Sequence, residues 1–161
     1  MLPVTEREIR ASFVNASRKE AATATLPPDF GELDFESLDV LAWTDPKMPR
    51  RAYAVAHLDG RPVSVLLQQA EQRVLARTQC SWCEDVTLRN DVQFFAARKA
   101  GASGRNGNTI GTLICANFGC SANVRRLPAL AYEGYDRETA RELRILRLQE
   151  HVQGFLRELG A

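Results

Sequence analysis

The sequence predicts an α+β fold of antiparallel β-hairpins with helices at both ends. Three observations carry this. Asp59-Gly60 lies between two short apolar runs, which is a tight-turn signature. Four cysteines fall in two pairs, with 31 residues between the pairs. The C-terminal segment repeats apolar residues at helical spacing. A chain of 161 residues is long enough to bury a core, and we read it as one domain, 1–161. Apolar content of 45% with 25% charged residues argues against overall disorder.

The elements follow in order. Thr5-Glu6-Arg7-Glu8 has the capping-box pattern, and Ile9, Phe13 and Ala16 follow at helical spacing. One helix over about 6–22 is expected, stopped by Leu26-Pro27-Pro28. Residues 29–51 mix polarity around Pro46 and Pro49, and read as a helical piece near Phe35–Leu41 plus loop. Ala52–Leu58 and Pro62–Leu67 read as strands around the Asp59-Gly60 turn. Val92–Arg98 and Thr109–Ile114 form a second expected strand pair. The glycine-rich stretch joining them, 100–108, reads as a mobile loop. Asp136 is the expected N-cap of a helix over about 137–159, with Gly160 beyond its end.

No apolar run approaches the roughly 20 residues needed to span a bilayer, and no secretory signal opens the chain. A cytoplasmic location is therefore expected, where thiols are kept reduced and a disulfide framework is the weaker reading. Cys80-Ser81-Trp82-Cys83 is a C-x2-C knuckle, which can turn both sulfurs toward one metal ion. Cys115 and Cys120 form a C-x4-C pair that follows an expected strand and leads into a short helix, 121–126. Cys120 then sits at a helix N-terminus, which favours thiolate. A knuckle, a hairpin and a helix carrying a late ligand make the treble-clef plan, expected over about 73–130. Cys80, Cys83, Cys115 and Cys120 are thus expected to bind one structural Zn²⁺. A thioredoxin-like redox pair is the competing reading, but it leaves Cys115 and Cys120 unexplained. His57 and His151 are not needed as ligands. A four-thiolate site has no open coordination position, which argues for architecture over zinc catalysis.

Residues 73–126 carry eight basic residues, Arg73, Arg77, Arg89, Arg98, Lys99, Arg105, Arg125 and Arg126, against three acids. Four thiolates with one zinc reduce that segment from +5 to about +3, a mild basic face. No P-loop, G-x-S-x-G, H-E-x-x-H or nucleophile–base pair is evident. Neither an enzyme nor a small-molecule substrate is expected.

The cysteine block, from Cys80-Ser81-Trp82-Cys83 to Cys115-Ala116-Asn117-Phe118-Gly119-Cys120-Ser121-Ala122-Asn123-Val124-Arg125-Arg126, resembles the C-terminal treble-clef zinc finger of the elongation factor G-binding proteins, the FusB-type fusidic acid resistance family. Ser12-Phe13-Val14-Asn15-Ala16-Ser17 and Leu41-Ala42-Trp43-Thr44-Asp45-Pro46 resemble its stand-alone actinobacterial branch. The resemblance spans roughly residues 8–130. It implies a non-enzymatic adaptor that binds elongation factor G, the ribosomal translocase, through the finger, with the four cysteines in the zinc positions. The resistance proteins of the family free the factor from drug-stalled ribosomes and carry a separate N-terminal helical bundle. This chain has room for about one helix before its first strand. Binding to the factor, and not resistance, is what carries over.

Phe118, Arg105, Lys99, Arg125 and Arg126 are the candidate contact residues, since aromatic and arginine side chains are the usual binding hot spots. The alternative is a nucleic-acid module for ribosomal RNA, because treble clefs often bind nucleic acid. The modest net charge of +1 argues against affinity resting chiefly on phosphate contacts.

Overall fold

The computed structural model describes residues 1–71, 74, 78–85 and 91–161. Arg73, Arg77 and Arg89 of the basic segment lie outside the described residues, as does the start of the finger expected at 73.

Among the described residues, five antiparallel strands form one sheet in sequence order: β1 (Leu41–Asp45), β2 (Met48–Leu58), β3 (Arg61–Gln69), β4 (Val92–Arg98) and β5 (Thr109–Cys115). The β2–β3 turn is made by Asp59 and Gly60, with φ of 50° and 78°. Both central residues are left-handed, as a two-residue hairpin turn requires. The register runs without a bulge from Leu58↔Arg61 to Arg51↔Gln68.

Side chains alternate across a strand, and in β2 both faces are covered. Ala52, Ala54, Ala56 and Leu58 join a core with Trp82, Phe95, Val124, Leu148, Phe155 and the four cysteines. Tyr53 and Val55 face the other way, onto Ile9, Trp43, Leu41 and Leu66. The sheet is therefore sandwiched between N-terminal segments and a layer made of the finger and the last helix.

The single helix expected over 6–22 is corrected to two, α1 (Glu6–Ala11) and α2 (Arg18–Thr23). Each has its own capping box: Thr5 with Glu8, and Ser17 with Glu20. The break between them pairs with β3. The Val14 amide donates to the Ser64 carbonyl at 3.1 Å, and the Ser64 amide to the Ser12 carbonyl at 3.0 Å. Asn15 completes the join, its side chain accepting from the Leu66 amide at 2.8 Å and donating to the Leu66 carbonyl at 2.9 Å. Pairing with the sheet overrides helical periodicity here.

Two further expectations are corrected. The helical piece at Phe35–Leu41 is a 3-10 turn, Phe35–Ser37, and Leu41 opens β1. The 100–108 connection holds a short helix, α3 (Gly101–Arg105), in place of an irregular loop. A Cβ at Gly104 would stand 1.7 Å from the Lys99 carbonyl oxygen, so close packing needs glycine there.

Two helices complete the chain, α4 (Cys120–Arg125) and α5 (Arg137–Leu159). Asp136 caps α5 by accepting from the Glu138 and Thr139 amides at 3.0 Å, and Gly160 ends it at φ 92°. No helix among the described residues is long and apolar enough to cross a membrane.

Candidate metal centre

Three segments meet at the cysteines. In the knuckle, the Cys83 amide points at Cys80 Sγ, 3.5 Å away. Cys115 is the last residue of β5. A tight turn follows: the Phe118 amide donates to the Cys115 carbonyl at 2.9 Å, and Phe118 takes φ 54°. The Asn117 side chain accepts from the Gly119 amide at 3.0 Å, which aims the chain into α4 with Cys120 as its first residue.

The four side chains converge. None of the four is in a disulfide, all are buried, and their sulfurs lie within 4.8 Å of one another. Cys80–Cys120 is 3.7 Å and Cys83–Cys115 is 3.4 Å, sulfur to sulfur. A zinc tetrahedron with Zn–S near ~2.3 Å sets its sulfurs about 3.8 Å apart. The donor set and spacing therefore fit a structural zinc ion held by these four residues. Hydrogen bonds from Cys115, then Cys120, draw the Cys80 thiol below its ordinary value. Contacts from Cys115, then Cys80, push the Cys120 thiol up. A divalent cation removes that competition, since a coordinating thiol is deprotonated outright. A zinc ion held by these four residues would cross-link the knuckle, the end of β5 and α4. No fifth Cys, His, Asp or Glu joins the cluster among the described residues.

The surroundings hold this geometry. Trp82 is buried and packs against Phe155 of α5, with ring centroids 5.8 Å apart. His151 lies 3.0 Å from the Trp82 carbonyl through Nδ1, so it acts as a support for the knuckle and not as a ligand. Asn123 sits one turn along α4 from Cys120, with its amide nitrogen 3.6 Å from Cys115 Sγ and 3.9 Å from Cys83 Sγ. Sequence reasoning passed over Asn123. Its signal was the i+3 spacing from Cys120, which puts both on one helical face.

The candidate contact residues do not form one surface. Lys99 and Arg105 lie by the α3 end of the β4–β5 hairpin, where Arg98 pairs with Thr109. They line an open cleft of about 290 Å³ with Val14, Asn15, Ser17 and Arg98. The cysteines are at the other end, where Val92 pairs with Cys115. Six steps of strand separate the two ends, about 20 Å. Phe118 and Arg126 are at the metal end. Phe118 is half-buried against Phe95, centroids 5.5 Å apart, and Arg126 is exposed. Arg125 is not a free contact residue, because it pairs with the buried Asp39 carboxylate.

The comparisons with known proteins agree with this geometry. Residues 8–159 match the family described as the FBP C-terminal treble-clef zinc-finger. Among solved structures, the chain is similar to one titled "Structure of the fusidic acid resistance protein FusC", with a TM-score of 0.51 and 19% identity. That likeness covers 76% of this chain and 53% of the other, so this chain spans about half of that protein's length. At that identity it speaks for the fold alone. None of the curated proteins matches the chain. With four cysteines gathered at one point and a family match over nearly its whole length, this chain belongs to the FBP C-terminal treble-clef zinc-finger family.

Proposed function

We propose that this protein is a non-enzymatic, zinc-stabilised adaptor that binds elongation factor G in the cytoplasm and modulates its release from the ribosome. Family membership and the closed all-thiolate site support a binding role, because a filled tetrahedron offers no position for substrate.

One observation favours a protein partner over RNA. The segment after α4 exposes Leu127, Leu130 and Tyr132, and α5 adds Leu143 and Leu146, each at least 42% exposed. Arg144 and Arg137 tie this segment to α5 by donating to the Arg126 carbonyl at 3.1 Å and the Pro128 carbonyl at 2.7 Å. Large apolar side chains held in the open mark protein interfaces. The basic face is also weaker than its charge count suggests, since Arg98 is paired with Glu20 and Arg125 with Asp39.

Calorimetry with purified, RNA-free elongation factor G tests the reading. One-to-one binding is expected, weakened at least tenfold by Leu130→Asp, and less affected by Lys99→Ala at the far end of the hairpin. Absence of binding by the zinc-loaded wild type would overturn it. Binding to ribosomal RNA that falls steeply with salt, without binding to the factor, would establish the nucleic-acid reading instead.

A further inference from the structure

We propose that Asn123 is an outer-sphere residue of the metal centre, whose side-chain amide sets how long zinc is retained on the Cys83–Cys115 side. Four thiolates around one Zn²⁺ carry a net charge of −2, and all four are buried away from water. Donors to the sulfurs must then come from the protein. The Cys83 amide serves Cys80 at 3.5 Å. For Cys115 and Cys83, the Asn123 amide nitrogen lies at 3.6 and 3.9 Å, within reach of a sulfur acceptor.

The residue is built for this position. Asn123 is 5% exposed, so water cannot replace its amide. Its backbone is fixed at both ends. Its N–H donates to the Gly119 carbonyl at 2.9 Å, and its own carbonyl accepts from Arg144 at 3.0 Å. A buried asparagine in a short helix lowers helix propensity, a cost offset only if the amide is used. Spreading thiolate charge onto N–H groups stabilises the anionic site and so lowers the tendency of sulfur to leave the metal.

Two readouts on the full-length protein test this. The first is zinc transfer to a chromogenic chelator. The second is the sulfur-to-cobalt charge-transfer band of the Co²⁺-substituted protein, which reports electron density on sulfur and does not respond to packing alone. In Asn123→Leu, which keeps the branching at Cγ but has no donor, transfer should be about 10–100-fold faster and the band should move to lower energy. Asn123→Asp, of the same shape, replaces the donor with an acceptor beside thiolates and should accelerate transfer further. If Leu prevents folding, Asn123→Ser, too short to reach either sulfur, carries the same two readings. A band unmoved in the variants, even with faster transfer, would assign Asn123 to packing and overturn the proposal. So would transfer within about twofold of wild type.

Discussion

Arg125 of α4 closes an ion pair with Asp39, two residues before β1, and so ties the finger helix to the N-terminal half of the chain. Asp39 is held from three sides. Gln149 of α5 donates to its Oδ1 at 2.8 Å, and its backbone amide donates to Ser121 Oγ at 2.9 Å. The Asp39 side chain is 2% exposed, against 29% for Arg125. Arg125→Ala would leave a buried carboxylate without its cation. The expected loss is about 3 kcal/mol, the lower end for half of a buried pair, because solvent reaches the arginine. Urea unfolding of the zinc-loaded protein measures it. The double variant Asp39→Ala/Arg125→Ala should lose less than the sum of the singles. A loss below about 0.5 kcal/mol for Arg125→Ala would make this an ordinary solvated pair.

This pair also shows where sequence reading stops. The cysteines were legible because metal geometry restricts spacing, and the Asp59-Gly60 turn because positive φ restricts residue type. Arg125 looked like surface charge, since nothing local reveals a carboxylate 86 residues away. β1 is not legible in the sequence, because Leu41–Asp45 is short and its pairing with β2 is a tertiary fact. The break in the first helix does have a local signal: Ser17-Arg18-Lys19-Glu20 repeats the capping-box pattern of Thr5–Glu8. Phe118 could be placed between two ligands from sequence, but not against Phe95.

Asp45 and Tyr53 predict a pH response. The Tyr53 hydroxyl donates to Asp45 Oδ2 at 2.6 Å, within the buried cluster beneath α1. Burial, and then the hydrogen bond to Asp45, push the Tyr53 phenol up to about 12. Burial would raise the Asp45 carboxyl, but donors from Tyr53 and the Lys47 and Met48 amides outweigh it and hold the group below its ordinary value. The folded phenol is the weaker acid, so its contribution to stability is full below about pH 10 and is lost as pH rises through about 12. Asp45 has the opposite sign: its contribution is present above about pH 4 and lost as pH falls through its depressed folded value. Ultraviolet titration should show one of the three tyrosines ionising only near pH 12, a step absent in Tyr53→Phe. Identical titration of the two proteins would contradict the assignment.

Two glycines should respond to alanine with opposite signs. Gly104 faces the Lys99 carbonyl oxygen, and Lys99 is followed by Ala100, whose amide donates to the Leu159 carbonyl at 2.8 Å. A methyl group there must displace backbone, so Gly104→Ala should cost about 1–3 kcal/mol. Gly154 lies inside α5 with nothing within 4 Å of an added Cβ, and its φ is not positive. Gly154→Ala should stabilise by about 0.5–1 kcal/mol, because helix interiors penalise glycine. Thermal unfolding of both variants checks the pair, and a destabilised Gly154→Ala would mean that this face of α5 is not open.

Metal removal should unfold the finger before the sheet's other face. Cys80, Cys83, Cys115 and Cys120 lie in the core that also holds Trp82 and Phe155, whereas Trp43 and Tyr53 belong to the separate cluster under the N-terminal helices. Structural zinc contributes on the order of 10 kcal/mol to folding in finger peptides, so its loss leaves the knuckle to be held by Trp82 against Phe155, His151 on the Trp82 carbonyl and the Ser81 amide on the Leu113 carbonyl. The chain has two tryptophans, one in each cluster, which allows each to be read alone. In Trp43→Phe, a strong chelator should shift the emission of Trp82 to the red as its ring leaves Phe155. In Trp82→Phe, the emission of Trp43 should change later or at higher chelator concentration. Fresh protein should release one zinc per chain in this process, and Cys80→Ser should retain less than wild type. Simultaneous change of both tryptophans would mean that the Asp39–Arg125 tie makes the two layers unfold as one. No change at Trp82 on complete metal removal would show that packing against α5, and not zinc, holds the knuckle.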